Sequence, residues 1–173
     1  MLIEQKEALK DYRNWLENAF RRSCTACALS LARSSEDLEY ELKFQPEHGI
    51  AKDTLPALKI RGSDSIIKVR YRERWRKRNR GNKYQFTNLS LELYDEQDRE
   101  ILAVHWDSTM PPEQPYQPHW HFSFNREGFQ LKKLHIPLNN NWKRWSPDQL
   151  SQYKAWLMGL LKFASVELSR ALR

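Results

Sequence analysis

The sequence predicts an α+β fold: an antiparallel sheet of about five to seven strands with long N- and C-terminal helices packed on one face. Three observations predict it. Apolar residues recur at steps of three and four at both ends of the chain, apolar and polar residues alternate through its middle, and short turn-forming clusters separate the alternating runs. The 173 residues suit a single domain spanning 1–173. A hydrophobic fraction of 40%, with seven each of Trp, Tyr and Phe, supplies a core and excludes a disordered chain.

The first element reads as a helix over residues 3–33, because Leu9, Tyr12, Leu16, Phe20, Cys24, Cys27 and Leu31 fall on one stripe that no Pro or Gly interrupts before Ser34-Ser35. Cys24-Thr25-Ala26-Cys27 has the spacing of a redox pair or half a zinc site. Inside a helix both thiols join the apolar stripe, which favours buried core cysteines. Leu38, Tyr40, Leu42 and Phe44 then alternate with Glu39, Glu41 and Lys43 as a half-buried strand, ended by Pro46 and Gly49, and a short strand is expected at 57–61.

The next strand begins near Ser65. A hairpin loop over 78–82 joins it to a strand at 84–94, where the apolar positions change from even (Tyr84, Phe86) to odd (Leu89, Leu91, Leu93), so a bulge is expected near Asn88. A turn at 95–98 leads to a strand at 101–107. A proline-rich loop at 110–118 precedes strands at 119–124 and 129–136. Ser146 as N-cap, Pro147 at the first helical position, Asp148 and Gln149 open the last helix, with Leu150, Tyr153, Leu157, Leu160, Leu161, Ala164 and Leu168 along one face.

Five glycines, at positions 49, 62, 81, 128 and 159, are too scattered for a phosphate-cradling loop. The charged N-terminus and the shortness of the longest apolar run, residues 155–161, predict a cytosolic protein with no membrane span. Two cysteines are too few for a disulfide framework. With 29 Lys and Arg against 22 Asp and Glu, the net charge of +7 favours a polyanionic partner.

That charge is patterned. Lys68, Arg70, Arg72, Arg74, Arg76, Arg78 and Arg80 occupy consecutive even positions, against Ile67, Val69, Tyr71 and Trp75 on odd ones. In a strand this sends seven cations to one face, about 6.6 Å apart, and Glu73 to the other. If all seven met duplex phosphates, the log-log salt slope would be about −6. The competing reading is a soluble face or a protected edge, with Glu39 and Glu41 on a neighbouring strand neutralising part of the row. RNA or single-stranded nucleic acid is the expected partner, since Tyr84, Trp142 and Trp145 offer stacking surfaces.

A second pattern concerns His105, His119, His121 and His135. Strand parity places His105 with Asp107, His119 with His121 and Ser123, and Lys133 with His135, so pairing in order would assemble one polar patch. Two chemistries suit it. His105, His119 and His121 with a carboxylate are fitting ligands for a divalent metal. Alternatively, His119 and His121 act as general base and acid, Asp107 orients one ring, and Lys133 stabilises negative charge during metal-independent RNA cleavage. The bland alternative is a set of exposed imidazoles.

The segment Glu100-Ile101-Leu102-Ala103-Val104-His105-Trp106-Asp107-Ser108, the proline-bearing loop and Pro118-His119-Trp120-His121 resemble the strand-loop-strand of TumE-type toxins from prokaryotic toxin-antitoxin systems. Asp107, Pro118 and His119 match that pattern best, and Ser108 stands where the family has Asn. The resemblance covers about 25 residues and implies a nucleic-acid-directed site. Glu41-Leu42-Lys43 supplies only the E-x-K half of a restriction-type nuclease, and no glycine-flanked serine elbow exists. Three functions follow: a small ribonuclease of a defence or toxin-antitoxin system, a non-catalytic RNA-binding subunit of a ribonucleoprotein or defence complex, and an interaction module whose basic face meets an acidic protein such as an antitoxin.

Overall fold

The computed structural model describes residues 2–3, 6–25, 28–33, 39–45, 54–58, 66–79, 81–107, 119–122, 125–126, 129–130, 134–137, 148–164 and 166. In chain order the elements are β1 (Leu2–Ile3), α1 (Lys6–Ser23), β2 (Ala28–Arg33), β3 (Glu39–Gln45), β4 (Lys68–Lys77), β5 (Tyr84–Tyr94), β6 (Glu100–Asp107), β7 (His119–Phe122), β8 (Asn125–Arg126), β9 (Phe129–Gln130), β10 (Leu134–Pro137) and α2 (Asp148–Phe163). The sheet runs β10-β7-β6-β5-β4-β3-β2, antiparallel throughout. It is therefore the expected α+β architecture. β1 pairs with the start of β5, alongside the stretch of that strand that β6 does not reach. No helix among the described residues is long and apolar enough to cross a membrane.

The expected helix over residues 3–33 is shorter than its stripe suggested. It ends at Ser23, and residues 28–33 form β2, which pairs with β3 from Ala28↔Gln45 to Arg33↔Tyr40. The cause is tertiary. Cys24 N–H still donates to Phe20 O at 2.6 Å, but Thr25 N–H donates to Ala57 O at 2.7 Å, and a β-bridge joins Cys24 to Leu58. Backbone pairing with a distant segment thus takes the chain out of the helix, outweighing the helical preference of the Ala and Leu residues that follow. Cys24 is buried as expected; Cys27 lies outside the described residues, as do residues 59–61 of the short strand expected at 57–61.

The bulge expected near Asn88 is present. Arg74 pairs with Asn88 and Trp75 with Phe86, leaving Thr87 as the extra residue, whose hydroxyl donates to Arg74 O at 3.2 Å. The strand expected at 129–136 is instead two pieces: β9 pairs with β8 in a separate hairpin, and β10 returns to the sheet beside β7. The expected cap residues Ser146 and Pro147 lie outside the described residues.

Both helices bury their stripes on one face of the sheet. Leu9, Tyr12, Leu16 and Phe20 of α1 share a core with Tyr153, Leu157, Leu160 and Leu161 of α2 and with Val69, Tyr71, Trp75, Leu89, Leu91 and Leu93. Lys154 ties the helices further, its Nζ standing 4.6 Å from the Trp15 ring centre. Glu73 is fully buried within this core. It accepts hydrogen bonds from Tyr12 Oη at 2.7 Å, from Trp75 Nε1 at 3.1 Å, and from the hydroxyls of Tyr71 and Tyr153. One carboxyl group thereby joins β4 to both helices. Burial, opposed by these four donors, leaves its pKa above the ordinary carboxyl value.

Candidate nucleic-acid interface

The alternation of β4 follows the sequence. Val69, Tyr71, Glu73 and Trp75 are buried beneath the helices, while Arg70, Arg72, Arg74 and Arg76 are exposed on the opposite face. The row is not unopposed, however. Register places Glu39 beside Arg76, Glu41 beside Arg74 and Glu92 beside Arg70. The resulting pairs are Arg76 Nε to Glu39 Oε1 at 3.2 Å, Arg74 Nε to Glu41 Oε1 at 3.5 Å, Arg70 Nη1 to Glu92 Oε2 at 3.2 Å, and Lys68 Nζ to Asp98 Oδ1 at 2.7 Å.

Arg72, between Lys43 and Ser90 in register, makes no ion pair among the described residues. Arg78 donates to Gln85 Oε1 at 3.1 Å, and Arg80 lies outside the described residues. Of seven described cations on β3, β4 and the start of the following loop (Lys43, Lys68, Arg70, Arg72, Arg74, Arg76, Arg78), all but Arg72 and Arg78 pair with one of four carboxylates (Glu39, Glu41, Glu92, Asp98). The surplus is three charges rather than seven.

The histidine positions fall in backbone register with the arginines. One row of backbone partners reads Arg72, Ser90, His105, His119 and Pro137; the next reads Arg70, Glu92, Ala103, His121 and His135. A third joins Glu41, Arg74, Asn88 and Asp107. Directly paired residues share a face, so the arginines, Ser90, Glu92 and His105 belong to one surface, and positions 119, 121 and 135 continue their backbone rows. Both helices pack on the other. Two strand spacings, about 10 Å, separate Arg72 from His105 across the sheet. Lys133 lies outside the described residues.

At the centre stands Glu92, which the sequence reading passed over in favour of Asp107. It accepts from Ser90 Oγ at 2.6 Å, from the Tyr94 hydroxyl and from Arg70, and its Oε1 lies 3.9 Å from His105 Nε2. Burial pushes its pKa up, but the hydrogen bonds from Ser90 and Tyr94 and the charges of Arg70 and His105 outweigh it, leaving Glu92 below the ordinary value. Beyond the bulge, Asn88, Ser90, Glu92 and Tyr94 alternate with Leu89, Leu91 and Leu93, a signal that could have placed Glu92 here.

A carboxylate already bound to a guanidinium and two hydroxyls is a poor ligand for a divalent cation, whose charge Arg70 would oppose. One expected stacking residue is corrected: Tyr84 is buried, edge-on to Tyr40 with ring centres 5.3 Å apart. Trp142 and Trp145 lie outside the described residues. Tyr94 presents the aromatic ring on this face, with Arg70 stacked 5.0 Å from its centre. No protein-family model, curated protein or solved structure matches the chain.

Proposed function

We propose that the arginine-histidine face of the sheet binds single-stranded RNA and that its histidines cleave the bound strand by metal-independent acid-base catalysis. The carrying observation is the common register of Arg72, Ser90, His105 and His119, beside that of Arg70, Glu92, His121 and His135. Cations that hold a phosphate and imidazoles that move its protons are thereby offered to one extended strand. A sheet face bearing Arg-stacked Tyr94 is suited to unpaired bases, which a duplex would keep inside.

In this reading the arginines hold the backbone, and an imidazole removes the proton of the attacking 2′-hydroxyl while a second protonates the leaving oxygen. Glu92 stands beside His105, its Oε1 3.9 Å from Nε2, and Arg70 and Arg72 offset the negative charge that develops on the phosphoryl oxygens. The segment resembling TumE-type toxins falls on β6 and β7, which pair directly, consistent with a nucleic-acid-directed site in a toxin or defence setting. A cytoplasmic location would accord with such a role.

The test is cleavage of a mixed RNA pool by the wild type and by His105→Ala, His119→Ala and His121→Ala, with and without chelator, alongside binding measured by fluorescence anisotropy. The reading expects cleavage that survives chelation, shows a bell-shaped pH profile and is lost in the histidine variants while binding persists. Activity abolished by chelator would transfer the chemistry to a divalent metal at His105, His119 and His121. Binding without cleavage would leave an RNA-binding subunit, and failure to bind RNA would favour an interaction module for an acidic protein.

A further inference from the structure

The arginine face carries a hollow at its β2 side. A cavity of about 340 Å³ is lined by Ala32 and Arg33 of β2, Glu39, Tyr40 and Glu41 of β3, and Arg74 of β4. Its origin is legible in the register: Ala32, Glu41 and Arg74 form one row, and the alanine methyl is the short member of that row. Two carboxylates therefore flank open space on a surface otherwise suited to holding an anion. Neutralising the arginines would need no such space.

We infer that this cavity is a guanine-recognition subsite for the RNA bound on the face. A carboxylate has two acceptors side by side, and among the standard bases only guanine offers two adjacent donors, N1–H and N2–H₂, along one edge. Uracil sets its single N–H between two carbonyls, and adenine and cytosine set an amino group beside an acceptor nitrogen. Arginine is the complementary reader of guanine O6 and N7.

Glu41 stands here in the required ionisation. Burial pushes Glu41 up, but the Lys43 hydrogen bond and the charges of Lys43, Arg72 and Arg74 bring its carboxyl below the ordinary range, so at neutral pH it accepts only. Glu39 is held by Arg76 through Oε1. Arg74 meets Glu41 only through Nε, at 3.5 Å, and its terminal nitrogens make no ion pair among the described residues. The cavity lies on β3 and the histidine patch begins on β6, about three strand spacings or 14 Å away, so the subsite would read a base at a fixed offset from the scissile phosphate.

This inference rests on the RNA-binding reading, and the experiment separates the two. Oligouridine hexamers carrying one central guanosine, inosine or adenosine are titrated against the wild type, Glu39→Gln, Glu41→Gln and Ala32→Met. The wild type should prefer guanosine over adenosine about ten-fold or more, with inosine between them because it lacks N2–H₂. The Gln variants, which turn an acceptor into a donor, should lose that preference at one of the two positions. Ala32→Met, which fills the cavity without touching a charge, should lose it while keeping adenosine binding. Equal affinity of the wild type for all three hexamers overturns the guanine subsite and leaves RNA binding intact. A preference that survives all three substitutions also overturns it, and failure of every hexamer to bind removes the RNA-binding reading itself.

Discussion

Replacing Glu73 with Leu should destabilise the fold, and the loss should be largest in acid. In the native protein the carboxyl satisfies three tyrosine hydroxyls and one indole N–H in a site with no exposure to solvent. Leucine removes the acceptor but not the donors. Tyr71 and Tyr153, whose hydroxyl oxygens are 3.1 Å apart, can share one hydrogen bond, so one of their two O–H groups, together with Tyr12 Oη and Trp75 Nε1, is left without this carboxyl in the core. Each such group costs about 1–3 kcal/mol, and leucine's apolar burial offsets part, giving a net loss of about 3 kcal/mol. At about 2–4 °C per kcal/mol for a chain of this size, the melting temperature should fall by about 10 °C.

The pH dependence has a definite sign. Because burial raises the folded-state pKa of Glu73, the folded protein holds this proton after the unfolded chain has released it. Its stabilising contribution is therefore full below the ordinary carboxyl value of about 4.5 and declines as pH rises through the folded pKa. Urea unfolding of both proteins between pH 4 and 8 isolates this contribution, and the deficit of Glu73→Leu should shrink with rising pH. Adding Tyr12→Phe should recover about 1–3 kcal/mol by removing one stranded donor. A deficit below about 1 kcal/mol, or one that grows with pH, would mean that Glu73 does not hold these donors as a raised-pKa carboxyl.

Other outcomes follow from the same geometry. Trp75→Ala, which empties a fully buried position against Tyr12 and Phe86, should cost about 3–5 kcal/mol in chemical denaturation. The salt slope for single-stranded RNA should lie near −2, the value for a surplus of three charges, rather than near −5 for seven unpaired cations. Arg72→Gln should weaken that binding more than Arg76→Gln, since Glu39 already engages Arg76. Glu92, whose pKa is lowered, contributes stability above the ordinary carboxyl value that is lost as pH falls through its folded pKa, so Glu92→Gln should flatten the acid limb of the unfolding profile.

The parts legible in the sequence were those fixed by local alternation. The parity change between Phe86 and Leu89 announced the bulge at Thr87, and the even arginines of β4 announced an exposed row. β2 was hidden because Cys24, Cys27 and Leu31 fit a helical stripe while Leu29 and Leu31 equally fit a strand; the deciding bonds come from Ala57, more than thirty residues away. Parity also sent Glu73 inward, but no local signal shows Tyr12, Tyr71 and Tyr153 converging on it from three elements. At the site, alternation placed the arginines in one row, while the pairing of Arg70 with Glu92 and of Arg74 with Glu41 became visible only through strand register.

Photo-crosslinking of a uridine-rich single-stranded RNA, read by peptide mass spectrometry, locates the surface on which RNA binds. Crosslinks should concentrate on peptides containing Arg70–Arg76 of β4, Ser90–Tyr94 of β5 and His119–His121 of β7, the strands whose register unites the basic row with the histidines. They should be lost from all three peptides when Arg72 and Arg74 are replaced by Gln. Crosslinks confined to the exposed sides of α1 and α2, and unaffected by those substitutions, would contradict an RNA-binding sheet face.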